Sequence, residues 1–111
     1  LFGAAALGDI GHHFPDTDPA YAGVSSIVLL QKTRELLAAA GSAIVNIDAT
    51  IIAQAPKLAP YIDEMRTNVA DALHIDKNCV GIKATTTEGL GFTGRKEGIA
   101  AEAVCLISKI Y

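Results

Sequence analysis

Blocks of basic residues are missing from this 111-residue sequence: nine Lys and Arg side chains are scattered among twelve Asp and Glu, for a formal net charge of -3. That excludes the cationic surface with which proteins neutralise a nucleic-acid backbone. A small anionic ligand is not excluded, because a few placed cations and backbone N–H groups hold a phosphate inside an acidic protein. Cysteine is scarce. Cys79 and Cys105 each sit in an apolar segment with no C-x-x-C or Cys/His spacing around them, so they read as buried free thiols. No apolar run reaches the roughly 18 residues of a membrane span, since Glu102 and Lys109 interrupt residues 99–111. Gly and Pro never cluster into a linker. An initial Met is also absent: the chain opens on Leu1-Phe2-Gly3-Ala4-Ala5-Ala6-Leu7, a helix-like apolar run that Gly8 ends. Without a positive n-region and with Gly8-Asp9-Ile10 as a poor cleavage site, this is no signal peptide, and Leu1 reads as an artificial beginning.

What is present describes one soluble domain over residues 1–111, half of it hydrophobic. Ser25 or Ser26 caps a helix that carries Ile27, Leu30 and Leu37 on one stripe and stops at Gly41. Residues 43–53 are largely β-branched and form a mostly buried strand. Pro60 opens a second helix, with Ile62, Met65, Val69 and Leu73 at helical spacing up to a turn at His74. Residues 79–84 alternate as a strand. Residues 99–110 are small or apolar on both parities, as in a strand covered on both faces. The order helix, strand, helix, strand, strand predicts an α+β or α/β sandwich.

Four polar clusters fall at element ends, where ligands are usually met. The first holds Asp9, Ile10 and Gly11 with Phe14-Pro15-Asp16-Thr17-Asp18; its carboxylates suit turns or a polyol's hydroxyls. His12 and His13 stand inside it without a third ligand at a metal-binding spacing, and read as solvated or locally bonded. The second is Ala53-Gln54-Ala55-Pro56-Lys57-Leu58, a stiff turn whose backbone can read a base edge while Lys57 reaches a phosphate. The third, Lys83-Ala84-Thr85-Thr86-Thr87-Glu88, gathers three hydroxyls and a carboxylate suited to Mg²⁺. The fourth, Gly89-Leu90-Gly91-Phe92-Thr93-Gly94-Arg95, contains a literal G-x-G-x-x-G. It lacks the following helix of a dinucleotide fingerprint, but a glycine loop can approach an anion closely while Arg95 forks onto phosphate oxygens.

In this order, Leu-Gly-Asp-Ile-Gly with Phe-Pro-Asp-Thr-Asp-Pro, Thr-Ile-Ile-Ala-Gln-Ala-Pro-Lys, Lys-Ala-Thr-Thr-Thr-Glu, and Leu-Gly-Phe-Thr-Gly-Arg with Glu-Gly-Ile-Ala resemble the signatures of the 2-C-methyl-D-erythritol 2,4-cyclodiphosphate synthase family across residues 7–100. The resemblance implies an α+β fold with helices on one face of a sheet, in a cytoplasmic or plastid homotrimer whose subunit sheets face a central interface. It implies a phosphorus–oxygen lyase of the non-mevalonate isoprenoid pathway that turns 4-diphosphocytidyl-2-C-methyl-D-erythritol 2-phosphate into the 2,4-cyclodiphosphate and CMP. Asp9, Ile10 and Gly11, with Phe14, Pro15, Asp16, Thr17 and Asp18, would hold the methylerythritol phosphate end. Ala53, Gln54, Ala55, Pro56, Lys57, Leu58 and Ala59 would form the cytosine pocket with Thr85. Thr86 would be the catalytic hydroxyl, Glu88 the Mg²⁺ or Mn²⁺ ligand, and Thr87, Phe92 and Arg95 would belong to the phosphate site.

The family's zinc ligands, an Asp-x-His pair and a His preceding the matched region, are not among these residues, nor is its His-Ser segment; neither His12 nor His13 aligns with them. By this reading the polypeptide as given is the C-terminal part of such an enzyme, without zinc and inactive alone. A non-catalytic cytidine-nucleotide-binding or trimer-forming module is the alternative, with a dinucleotide-dependent oxidoreductase fragment behind it.

Overall fold

The structure is a computed structural model and describes residues 1–110. Its elements follow as α1 (Ile10–His13), α2 (Ser26–Ala39), β1 (Ser42–Ile52), α3 (Ile62–Leu73), β2 (Val80–Thr85), the single turn α4 (Gly91–Gly94) and β3 (Ala100–Lys109). The strands form one sheet in the order β2-β1-β3. β1 runs parallel to β2 and antiparallel to β3. The parallel pair follows from α3, the crossover that returns the chain to the starting edge. The α+β expectation holds.

Local chemistry explains the helix ends. Ser25 Oγ accepts from the Ile27 N–H at 3.2 Å and opens α2. Gly41, at φ +83, closes it. Pro60 lies in a short 3₁₀ turn that leads into α3, and Asp63 and Glu64 complement that helix's positive end. His74 ends α3 in the left-handed region at φ 54, a place more often taken by Gly or Asn.

Both long helices lie on one face of the sheet. Leu30 and Thr33 of α2 and Val69 of α3 share a cleft with Ile47, Ala49, Val80, Ile82, Ala103 and Cys105. Phe2, Phe14 and Leu37 bury together at one end, with Leu29, Ile44 and Ile107 against them. Near β2, Ala70, Ala72, Leu73 and Val80 are buried as well. The opposite face carries Asp48, Thr50, Glu102 and Val104, and among the described residues nothing covers it. Val104 and Leu106 are 68% and 56% exposed, so among the described residues the last strand is covered on its helix side alone, and the second cover expected of it, a subunit interface, lies outside a single chain.

Residues 1–7 also differ from the helix-like reading. They form successive turns, with Ala5 N–H donating to Leu1 O and Leu7 N–H to Phe2 O, and Ala6 at φ 56 bends the chain away before Gly8. Their apolarity serves to seat Phe2 in the core. Cys79 and Cys105 are free thiols, half-buried rather than fully buried. Among the described residues no helix is long and apolar enough to cross a membrane.

Candidate functional site

Parallel pairing brings the carboxyl ends of β1 and β2 together, because Ile52 stands opposite Thr85. Ala53 N–H extends the ladder by donating to Thr85 O at 2.9 Å. The two loops that leave this end therefore share one side of the sheet, the usual place for a ligand beside parallel strands. Ala53, Gln54, Pro56, Lys57, Leu58, Ala59, Ala84, Thr85 and Thr86 line a single cleft of about 430 Å³. The second and third sequence clusters thus meet.

The turn after β2 is built from hydroxyls and left-handed backbone. Glu88 (φ 55) and Gly89 (φ 78) are both left-handed, and the Glu88 N–H donates to Thr86 Oγ1 at 3.2 Å. With that oxygen engaged as an acceptor, the Thr86 proton is left to donate elsewhere. Thr87 Oγ1 donates to Leu90 O, so the 2.9 Å contact between Thr87 and Thr93 must be a donation from Thr93. Thr93 is 4% exposed and braces the turn from beneath. A Cβ on Gly94 would stand 2.2 Å from the Gly89 carbonyl carbon, so this position admits only glycine while the turn keeps its shape. The Gly89 N–H reaches across to Gln54 Oε1 at 3.1 Å, tying the two loops together.

Ala55, Glu88, Phe92 and Arg95 are exposed around this end. Arg95 holds Glu97 through Nε–Oε1 at 2.6 Å and Nη2–Oε2 at 3.3 Å, so a phosphate would have to compete for its fork. Lys83 turns to the outer sheet face and pairs with Asp48 at 2.8 Å. Gly91–Gly94 forms only a single helical turn, α4, which supplies no dinucleotide-type helix N-terminus.

The first cluster lies apart. Asp9 and Ile10 line a separate, apolar cleft of about 470 Å³ over the helix-covered sheet face. Asp9 Oδ1 accepts from His12 N–H at 2.8 Å, and Asp18 Oδ1 from Ala20 N–H at 2.9 Å, so both act as local caps. Phe14 is buried in the core, Pro15 is half-buried, and Gly11, Asp16 and Thr17 are exposed. His13 stacks on Phe2 with ring centroids 4.2 Å apart and its Nε2 lies 2.7 Å from Leu7 O, which is the local bonding expected of it. Among the described residues no three His, Cys, Asp or Glu side chains gather as a metal centre.

The sequence reading missed Thr93 and Gly94 as braces, and the Gln54 bond to Gly89. Thr93 and Gly94 did stand inside a glycine-rich motif, but no local signal couples Gln54 to a residue 35 positions away.

The fold is α+β, and its loop-lined cleft lies at the carboxyl ends of the parallel strands. The sequence profile of the YgbB family matches residues 1–108, and the chain belongs to that family. It is 64% identical over its whole length to the 2-C-methyl-D-erythritol 2,4-cyclodiphosphate synthase of Agathobacter rectalis, of which it covers 63%. The bifunctional IspDF of Campylobacter jejuni superposes with a TM-score of 0.93 at 41% identity, over 99% of this chain and 30% of that one. The Plasmodium falciparum IspF in complex with CDP gives a TM-score of 0.84 at 30% identity, over 99% of this chain and 65% of that one. The chain thus spans less than two-thirds of the length of these relatives.

Proposed function

We propose that the chain carries the cytidine- and diphosphate-binding loops of a 2-C-methyl-D-erythritol 2,4-cyclodiphosphate synthase. The observation that carries this reading is the convergence of residues 53–54, 56–59 and 84–86 on one cleft, where the resemblance puts the nucleotide. CDP in the complex of the Plasmodium falciparum relative is consistent with it.

In the reaction, an oxygen of the substrate's 2-phosphate attacks the β-phosphorus. The bond from that phosphorus to the bridging oxygen breaks, and CMP leaves with the electron pair. The substrate supplies its own nucleophile, so the protein's tasks are orientation and charge stabilisation. Ala53, Gln54, Ala55, Pro56, Lys57, Leu58 and Ala59 enclose the base with Thr85. Thr86 donates its uncommitted proton to the reacting phosphates. Thr87 braces the turn, and Phe92 and Arg95 border the phosphate side.

Glu88 suits Mg²⁺ or Mn²⁺: it is an exposed hard-oxygen ligand on a preformed turn, and magnesium takes one or two carboxylates while phosphate oxygens and water complete its shell. Such a cation would neutralise charge between the α- and β-phosphates. Zinc, which the resemblance also implies, finds no fitting donor set among the described residues, and no step above passes through it.

Asp9, Ile10, Gly11, Phe14, Pro15, Asp16, Thr17 and Asp18 hold the methylerythritol end in this reading. Their separation from the cleft within one chain favours sites completed between neighbouring subunits of a homotrimer, with outer sheet faces turned to the common axis. A cytoplasmic location belongs to the same proposal.

Calorimetry with CMP and AMP tests the cytosine assignment. CMP is expected to bind at least about tenfold more tightly. Equal affinities would remove specific base reading.

A further inference from the structure

We propose that Gln54 is a positioning residue for Glu88, holding the carboxylate's aim from the neighbouring loop. The inference rests on the reading of Glu88 as the ligand of a divalent cation at the diphosphate.

Gln54 is well anchored for this task. It follows Ala53, which is 7% exposed and bonded through its N–H to the end of β2. Its Oε1 accepts from the Gly89 N–H at 3.1 Å, the one side-chain hydrogen bond recorded between the two loops among the described residues. The Gly89 nitrogen belongs to the same peptide unit as the Glu88 carbonyl. Holding it therefore fixes the torsion on the carboxyl side of Glu88.

That torsion needs holding. Glu88 occupies the left-handed region, which disfavours residues with a Cβ, and Gly89 beside it can swing widely at little steric cost. Thr86 Oγ1 secures the Glu88 N–H on the other side. Gln54 completes the pair of restraints, one on each side of the Glu88 backbone. A neutral amide oxygen makes this bond without adding charge beside an anionic ligand.

The test separates direct nucleotide contact from positioning. Gln54→Met removes the acceptor at nearly unchanged length, whereas Gln54→Glu keeps an oxygen for the Gly89 N–H. Calorimetry of the assembled protein would follow CMP binding without metal, and then Mg²⁺ binding to the CDP-loaded protein. Gln54→Met is expected to weaken Mg²⁺ about tenfold, a clearly larger factor than its loss of CMP affinity, and Gln54→Glu is expected to recover most of the Mg²⁺ affinity. Unchanged Mg²⁺ affinity in Gln54→Met would overturn the inference. So would an equal or larger loss of CMP binding, which would leave Gln54 a nucleotide contact alone. Failure of the unsubstituted protein to bind CMP would instead overturn the cytidine reading, and this inference with it.

Discussion

Glu88 and Thr86 occupy one turn and yet offer different chemistry, a charge and a proton. Glu88→Gln in the full-length protein should weaken Mg²⁺ at the diphosphate, seen as a higher Mg²⁺ requirement for turnover; full activity at limiting Mg²⁺ would refute the metal role. Thr86→Ala should lower kcat more than it raises KM if its hydroxyl donates mainly to the pentacoordinate phosphorus. Loss of one such donor costs about 2.7–4 kcal/mol, on the order of 10²–10³ in rate; a change confined to KM would contradict that role. Both residues were legible in sequence as an unusual run of hydroxyls and a carboxylate at a strand exit. The interactions of Arg95 and Gln54 were not. An ion pair with Glu97 and an amide bond to a residue 35 positions away depend on how loops fold, and neither composition nor spacing encodes them.

At the level of elements, α3 and β2 are joined by one side chain. Arg66 Nε donates to Val80 O at 2.7 Å and Nη2 to Lys77 O at 3.1 Å, across the 3₁₀ turn that opens β2. Arg66→Met keeps much of the stem's packing and loses both bonds, so an urea midpoint should report a loss of about 1.5–3 kcal/mol. Beside it, Lys77 Nζ lies 2.7 Å from Asp63 Oδ1. The Lys77 ammonium, bonded to Asp63 and attracting it, holds that carboxyl below its ordinary value of 3.8, with a smaller pull from Arg66. Because the folded pKa is depressed, this contribution is present above pH 3.8 and is lost as pH falls through the folded value. Asp63→Asn should therefore make unfolding less pH-dependent in that acid range, a difference that acid titration of the two proteins would measure. Capping and periodicity made α2, α3 and the strands readable, since Ser25, Gly41 and Pro60 carry strong local preferences. Residues 1–7 were misread because an apolar run serves a buried turn as well as a helix, and only Ala6's left-handed backbone separates the two.

This chain has more surface than a self-sufficient domain of its length needs. It exposes 7148 Å², where a monomer of this size exposes about 5800 Å². Its radius of gyration of 15.2 Å exceeds the roughly 13 Å of a compact chain of equal length. The surplus exceeds the roughly 800 Å² per partner of a standard interface, which suits burial against neighbours. Sedimentation of the full-length protein should give a trimer at micromolar concentration, and Leu106→Lys on the bare sheet face should shift it toward monomer; a monomeric unsubstituted protein would contradict the assembly. Residues 99–110 read as covered on both faces; the helices supply one cover within the chain, and the subunit cover expected on the other face is what sedimentation tests. β3 is also a ten-residue edge strand of the described sheet. Its charges, Glu102 and Lys109, leave residues 103–108 without charge, proline or glycine. Six such residues on an unpaired edge are the composition from which cross-β fibrils grow, so wherever this edge stands bare the strand carries its own aggregation seed, with a gatekeeping charge at each flank.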